Sequence, residues 1–189
     1  MSTVQDGNVY AAVGALLAGR GAVTLQTIVG ETGVSIGSLY HRYGSREGLL
    51  AKTWLDAVQS FQATFLSALE CSDDDAGARA ALATPHFCRE ERERAIILSC
   101  CRQSEFLSDA TPEDLREEIG AVNEAAGAAL RRYARRTGYS LEACRLGLIA
   151  FPLGAVRLYL PDRPLPKTID DYVVRAFWSA VRGNGSPTL

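Results

Sequence analysis

Apolar residues along this chain recur at three- and four-residue intervals almost everywhere, while the alternation of a half-buried strand does not recur. Val9, Val13, Leu16 and Leu17 share one face of a first helix that ends near Gly19-Arg20-Gly21. Thr24 is an N-cap for a short second helix, Leu25 to Thr32, which turns Leu25, Ile28 and Val29 inward and stops at Gly33. Val34 reads as a buried plug, and Ser35 caps a third helix, Ile36 to Tyr43, which Gly44 terminates. Ser45 opens a fourth helix of about five turns, on which Leu50, Trp54, Ala57, Phe61, Phe65 and Ala68 form one apolar stripe.

The same periodicity continues to the end. Asp73-Asp74-Asp75 reads as a solvated connection and the acidic start of another helix, and Pro85 is expected to break the pattern. A further helix carries Ile97, Leu98, Cys101 and Phe106. Thr111-Pro112-Glu113-Asp114 has the form of a helix start with Thr111 as cap. The helix after it turns Leu115, Ile119, Val122, Ala126, Leu130 and Tyr133 inward and carries Arg131, Arg132, Arg135 and Arg136 near its end. Ser140 caps the next helix, where Leu141, Cys144, Leu148, Phe151, Ala155 and Leu158 follow helical spacing and the residues between are also largely apolar; Pro152 should kink it. Pro161 to Pro166 form a stiff connection to a last helix, about Thr168 to Arg182, with Ile169, Val173, Ala176, Phe177 and Ala180 on one side, and the tail GNGSPTL should be loose. The expectation is an all-α protein of about nine helices without internal repeats.

Composition narrows the class without naming a function. With 189 residues, 47% hydrophobic and 22% charged, the chain can build a core, which excludes disorder, collagen-like sequence and a disulfide-dense scaffold. The longest uncharged apolar run, Leu146 to Val156, falls short of the ~20 residues of a membrane helix, and no secretory signal is visible. A soluble, cytoplasmic protein without a membrane partner is expected. The net charge of −2 gives no global argument for nucleic acid, and only Lys52 and Lys167 among the 20 basic residues are lysines. Five cysteines without CxxC spacing read as small buried hydrophobes, and His86-x-Cys88 is too weak to imply a metal, so neither metal nor cofactor is expected.

Residues 24–46, TLQTIVGETGVSIGSLYHRYGSR, carry the functional signal. Two short helices joined by a Gly-containing turn are the geometry of a helix-turn-helix. The second is rich in small and hydrogen-bonding groups (Ser35, Gly37, Ser38, Tyr40, His41, Arg42), which suits a helix in a groove, with Leu39 and Tyr43 as inward anchors. A short surface helix of an ordinary bundle has the same spacing. Gly33-Val34-Ser35-Ile36-Gly37 also satisfies the G-x-S-x-G pattern of a hydrolase elbow, but that needs a preceding strand and a histidine base; here a helix precedes it and His41 lies on the same short helix. No enzymatic activity is expected.

GVSIGSLYHRYGSREGLL, Gly33 to Leu50, closely resembles the signature of the TetR (tetracycline-repressor-like) bacterial transcriptional regulators, and TLQTIVGET and Val9 to Gly21 resemble the two helices before it. The resemblance covers about residues 8–55. It implies a helix-turn-helix DNA-binding domain, residues 1–48, and a helical ligand-binding and dimerisation domain, 49–189. Carried over, Ser35, Ile36, Gly37 and Ser38 would face base edges, while Thr24, Tyr40, His41 and Arg46 would contact phosphates. Two departures stand out: Ile36 replaces the family's usual polar residue or proline, and residues 1–50 balance Arg20, Arg42 and Arg46 against Asp6, Glu31 and Glu47, with no basic arm. Inward pocket candidates are Trp54, Phe61, Phe65, Phe87, Ile97, Cys101, Tyr133 and Phe151, although residues of this kind are more often core than ligand contacts. Leu148, Phe151, Ala155, Leu158, Val173 and Phe177 are the candidates for a four-helix interface in a homodimer. The implied function is a ligand-responsive regulator, expected to be a repressor, that binds palindromic operator DNA as a homodimer and is released by a small, largely apolar effector. The alternative is a helical small-molecule or partner-binding protein that has lost DNA binding.

Overall fold

The computed structural model describes residues 2–20 and 23–183. The helices are α1 (Ser2–Arg20), α2 (Leu25–Thr32), α3 (Ile36–Tyr43), α4 (Arg46–Glu70), α5 (Ala76–Glu90), α6 (Arg92–Cys100) and α7 (Glu113–Thr137). Then α8 (Leu141–Arg145) continues through a π-helical turn (Leu146–Ala150) into α9 (Phe151–Arg157), and α10 (Ile169–Arg182) closes the chain. Counting 141–157 as one run gives nine helices, and no strand occurs among the described residues. The expected helix end at Gly21 and the tail from Asn184 lie outside them.

Two compact units form. Met1–Gln59 with Glu91–Ala121 make the first, and Ser60–Glu90 with Val122–Leu189 the second. In the first unit, Val9, Val13, Leu16 and Leu17 of α1 pack with Ile28, Leu39, Tyr43, Leu49, Leu50 and Ala57 around one core that also holds Ile97 of α6. α6 reaches α1 because Gly14 has no side chain: a Cβ there would lie 2.8 Å from Ile97 Cγ1. In the second unit, α10 packs on α5 in the same way. A Cβ on Gly77 would fall 2.2 Å from Phe177 Cζ.

Four local expectations are corrected. Pro85 does not break α5 but sits inside it, buried among Ala81, Ala83, Thr84 and Cys88, so packing outweighs the lost backbone hydrogen bond. Cys101 and Phe106 lie beyond the end of α6, both buried, Cys101 with extended backbone. Thr111 does not cap α7: its buried hydroxyl accepts from the Ser108 amide at 2.9 Å, and the carbonyl of Pro112 accepts the first helical bond, from Arg116.

The fourth correction concerns the run 141–157. Pro152 has no amide hydrogen and crowds the carbonyl four residues back, so the preceding turn widens and the Phe151 amide bonds to Leu146, five residues back. The extra residue rotates everything after it by about 100°. Cys144 before the turn and Leu148 within it face inward; after it Pro152 and Val156 do, while Phe151 and Leu158 turn outward, 42% and 68% exposed. The stripe from Leu141 to Leu158 therefore does not stay on one face.

Candidate nucleic-acid interface

Each half of the helix-turn-helix is closed by its own side chains. Thr24 Oγ1 accepts from the Thr27 amide, and Thr27 Oγ1 accepts from the Thr24 amide, both at 3.1 Å, a reciprocal cap at the start of α2. Gly33 ends α2 at φ 69°, donating to the Val29 carbonyl at 2.8 Å, a backbone that a side chain would strain. Two residues later Ser35 Oγ accepts from the Ser38 amide at 3.2 Å and starts α3. Its far end is as tightly made. Gly44 adopts φ 73°, Ser45 Oγ accepts from the Gly48 amide at 2.9 Å, and a Cβ on Gly48 would lie 2.2 Å from the Tyr43 carbonyl oxygen.

The eight residues of α3 divide cleanly. Leu39 and Tyr43 are buried, whereas Ser35, Ile36, Gly37, Tyr40 and His41 are exposed and Ser38 is half-buried. Tyr40 is the most prominent, 53% exposed, with Ile36 beside it at 39%. Nothing lies within 4 Å of where a Gly37 side chain would stand, so the backbone is open there to close approach. Thr24 is exposed as well. The six candidates from Thr24 through Tyr40, together with His41, therefore share the free surface of this unit.

Arg46 makes two contacts within its own chain. Its Nε donates to the Val23 carbonyl at 2.7 Å and its Nη1 to Glu47 Oε1 at 3.2 Å, so the guanidinium braces the segment entering α2. Sequence reading also missed three supporting groups. Asp6 of α1 accepts from the Tyr43 hydroxyl at 2.5 Å and from Arg42 Nη1 at 3.2 Å. Lys52 Nζ donates to the Arg42 carbonyl at 3.2 Å, a cation at the C-terminal end of α3. The Tyr10 ring lies 6.0 Å from that of Tyr43. Burial above all, then the negative charges of Asp6 and Asp56, pushes the Tyr10 phenol up to about 12; burial, then the bond to Asp6, raises Tyr43 as well. No local motif announces Asp6, because its partners are 36 and 37 residues away.

The other candidates separate into three places. Trp54, Ile97 and Cys101 belong to the core of the first unit, where the Trp54 ring lies 5.3 Å from Phe106. Phe61, Phe65 and Phe87 come together in the second unit, with Phe61 5.5 Å from each of the other two. Tyr133, also in that unit, is buried over Gly77. Phe151 faces outward and lines none of these clusters. A groove of about 550 Å³ in the second unit is lined instead by residues between Ala63 and Cys71 of α4 and between Arg79 and His86 of α5. Of the interface candidates, Leu148, Val173 and Phe177 are buried within their own chain, Ala155 is half-buried, and Phe151 and Leu158 are exposed. Leu146, Ile149 and Tyr172 are further large apolar groups left on the surface.

A capped two-helix unit with a tight turn, buried anchors on one side of its second helix and small polar groups on the other, defines a helix-turn-helix protein. Its relatives sharpen this. Residues 15–53 match the family model described as bacterial regulatory proteins, tetR family. The TetR family transcriptional regulator PfmR from Thermus thermophilus is similar in fold over 94% of this chain and 99% of its own, with a TM-score of 0.63 and 21% identity. A protein from Shewanella sp. PV-4 described as a tetR family transcription regulator matches over 93% and 97%, with a TM-score of 0.66 and 17% identity. No curated protein matches the chain by sequence. The resemblance to the TetR family is thus carried by sequence through the helix-turn-helix and by fold through almost the whole chain. Among the described residues no helix is long and apolar enough to cross a membrane.

Proposed function

We propose that this protein is a cytoplasmic, ligand-responsive transcriptional repressor that binds palindromic operator DNA as a homodimer and leaves it when a small, largely apolar effector binds. The observation that carries the reading is α3: a helix anchored by buried Leu39 and Tyr43 that presents Ser35, Ile36, Gly37, Tyr40 and His41 to solvent. Residues 1–48 would read DNA, and 49–189 would bind the effector and the second copy. The protein acts by binding and release, with no catalytic step and no cofactor. In the second unit the cluster of Phe61, Phe65 and Phe87 supports an apolar effector. The exposed Leu146, Ile149, Phe151, Leu158 and Tyr172 support a partner copy on that face.

The test is fluorescence anisotropy with the duplex that the full chain selects from a randomised pool. Tyr40→Phe, which deletes one hydroxyl, should weaken binding to all duplexes alike, because a phosphate contact carries no base information. A changed sequence preference would move Tyr40 to the base edges.

A second reading, a helical binding protein without DNA affinity, is favoured by the engagement of two N-terminal arginines: Arg42 with Asp6, and Arg46 with Val23 and Glu47. Failure to select any duplex, with small-molecule binding retained, would establish it.

A further inference from the structure

We propose that Asp6 is a positioning residue for α3: by holding both Tyr43 and Arg42 it sets the roll of the recognition helix. This rests on the DNA-binding reading above.

The argument begins with the shortness of α3. Eight residues are too few to hold a helix or its orientation without tertiary contacts. The two apolar anchors, Leu39 and Tyr43, stand one turn apart on the same side, so they define a line about which the helix can roll. A third fixed point is needed, and polar contacts at the last turn supply it. Oδ1 of Asp6 receives the Tyr43 hydroxyl at 2.5 Å and Arg42 Nη1 at 3.2 Å, drawing two successive residues of α3 toward α1. From the other side, Lys52 of α4 holds the Arg42 carbonyl at 3.2 Å and lies 5.7 Å from the Tyr43 ring. Tyr40 and His41, the two exposed groups just before this grip, move with any roll, and so does the turn that carries Ser35 to Ser38.

Energetics decides where such a grip is felt. The Asp6 and Arg42 side chains are each about a quarter exposed, so water weakens the ion pair and its share of folding stability is small. Base recognition depends on angle and distance far more steeply than folding does. Losing the Asp6 carboxylate should therefore change discrimination between duplexes more than it changes melting.

The experiment compares the full wild-type chain with Asp6→Asn and Tyr43→Phe. Each is titrated with the duplex selected by the wild type and with a scrambled duplex of the same length, over a series of KCl concentrations. Asp6→Asn keeps an acceptor oxygen for Tyr43 and removes only the charge. It should lower the selected-to-scrambled affinity ratio about tenfold, the size of one base contact. Tyr43→Phe, which removes the hydroxyl that Asp6 holds, should lower the ratio in the same direction. An unchanged ratio in both variants, or a fall in both affinities by the same factor in step with lowered melting temperature, overturns the proposal. If the wild type selects no duplex, the DNA-binding reading fails first and this inference with it. Asp6→Ala, which removes both bonds, serves as the upper limit; should it fail to fold, Asp6→Asn still decides.

Discussion

A methyl group at Gly77 would stand 2.1 Å from the Tyr133 hydroxyl and 2.2 Å from Phe177 Cζ, so two aromatic rings close over this one position. Gly77→Ala should therefore cost about 1–3 kcal/mol through overpacking, read as a lowered midpoint in thermal or urea unfolding. Ionisation gives a second check at the same scale. The Tyr10 phenol is raised to about 12, and Tyr43 is raised too, so the folded protein keeps protons that the unfolded chain releases near pH 10. Their contribution is complete below about pH 10 and is lost as pH rises toward about 12. Urea midpoints should be level from pH 7 to 9 and fall at pH 11. The Cys101 thiol is pushed up to about 11, by burial first and then by Glu105, while its neighbour Cys100 is exposed. A maleimide at neutral pH should label Cys100 well before Cys101, and mass spectrometry of the peptides would show the order.

At the scale of elements, caps and one proline decide where helices start and which way they face. Thr24, Ser35, Ser45 and Ser140 each accept an amide three residues on. All four are readable in the sequence because a cap is a local contract between neighbours. Ser35→Ala should cost about 1 kcal/mol and weaken DNA binding further than stability alone accounts for, since the cap also orients the first turn of α3. Pro152 shows the limit of the same reading. The kink expected of it is a widened π turn, and the phase shift that follows puts Phe151 and Leu158 outside and Val156 inside. Pro152→Ala restores the missing amide and permits a regular helix, which would turn Phe151 back from the surface. On the proposed dimer this should raise the dissociation constant in sedimentation equilibrium.

For the whole molecule, the proposed assembly and switch make separable demands. Leu158 is exposed and Phe177 is fully buried, so arginine at the two positions should behave oppositely. Leu158→Arg should give a folded monomer, whereas Phe177→Arg places a charge inside its own chain and should melt it. A folded dimer surviving Leu158→Arg would move the interface elsewhere. The effector reading gains a route from α4, one continuous helix of 25 residues that begins with Arg46, next to the recognition helix, and carries Phe61 and Phe65 further along. An effector can shift the DNA equilibrium only by its differential affinity for the two states, typically about 1–3 kcal/mol. Effector affinity must then fall with operator present by the factor that operator affinity falls with effector. Calorimetry in both orders checks this, and equal affinities would leave a binder without a switch.

The all-helical class, the order of the helices and the exposed and buried sides of α3 followed from sequence alone. Periodicity, caps and glycine stops act between residues at most four apart, and the hydrophobic effect needs only the pattern of apolar positions to choose a face. What tertiary structure decided are the matters that depend on distant partners. Pro85 stays helical because its neighbours are buried against the rest of the unit. Seven of the eight pocket candidates divide between the two units and Phe151 stays on the surface, because apolar spacing does not say which core a side chain enters. Val173 and Phe177 are buried inside their own chain, and Gly77 and Gly147 make the room for Phe177. Asp6 meets Arg42 and Tyr43 across 36 and 37 residues, and Arg46 meets Val23 across 23, contacts that only the fold assembles. A carboxylate or guanidinium is satisfied by whatever folding brings within about 3 Å, and only the folded chain specifies that neighbour.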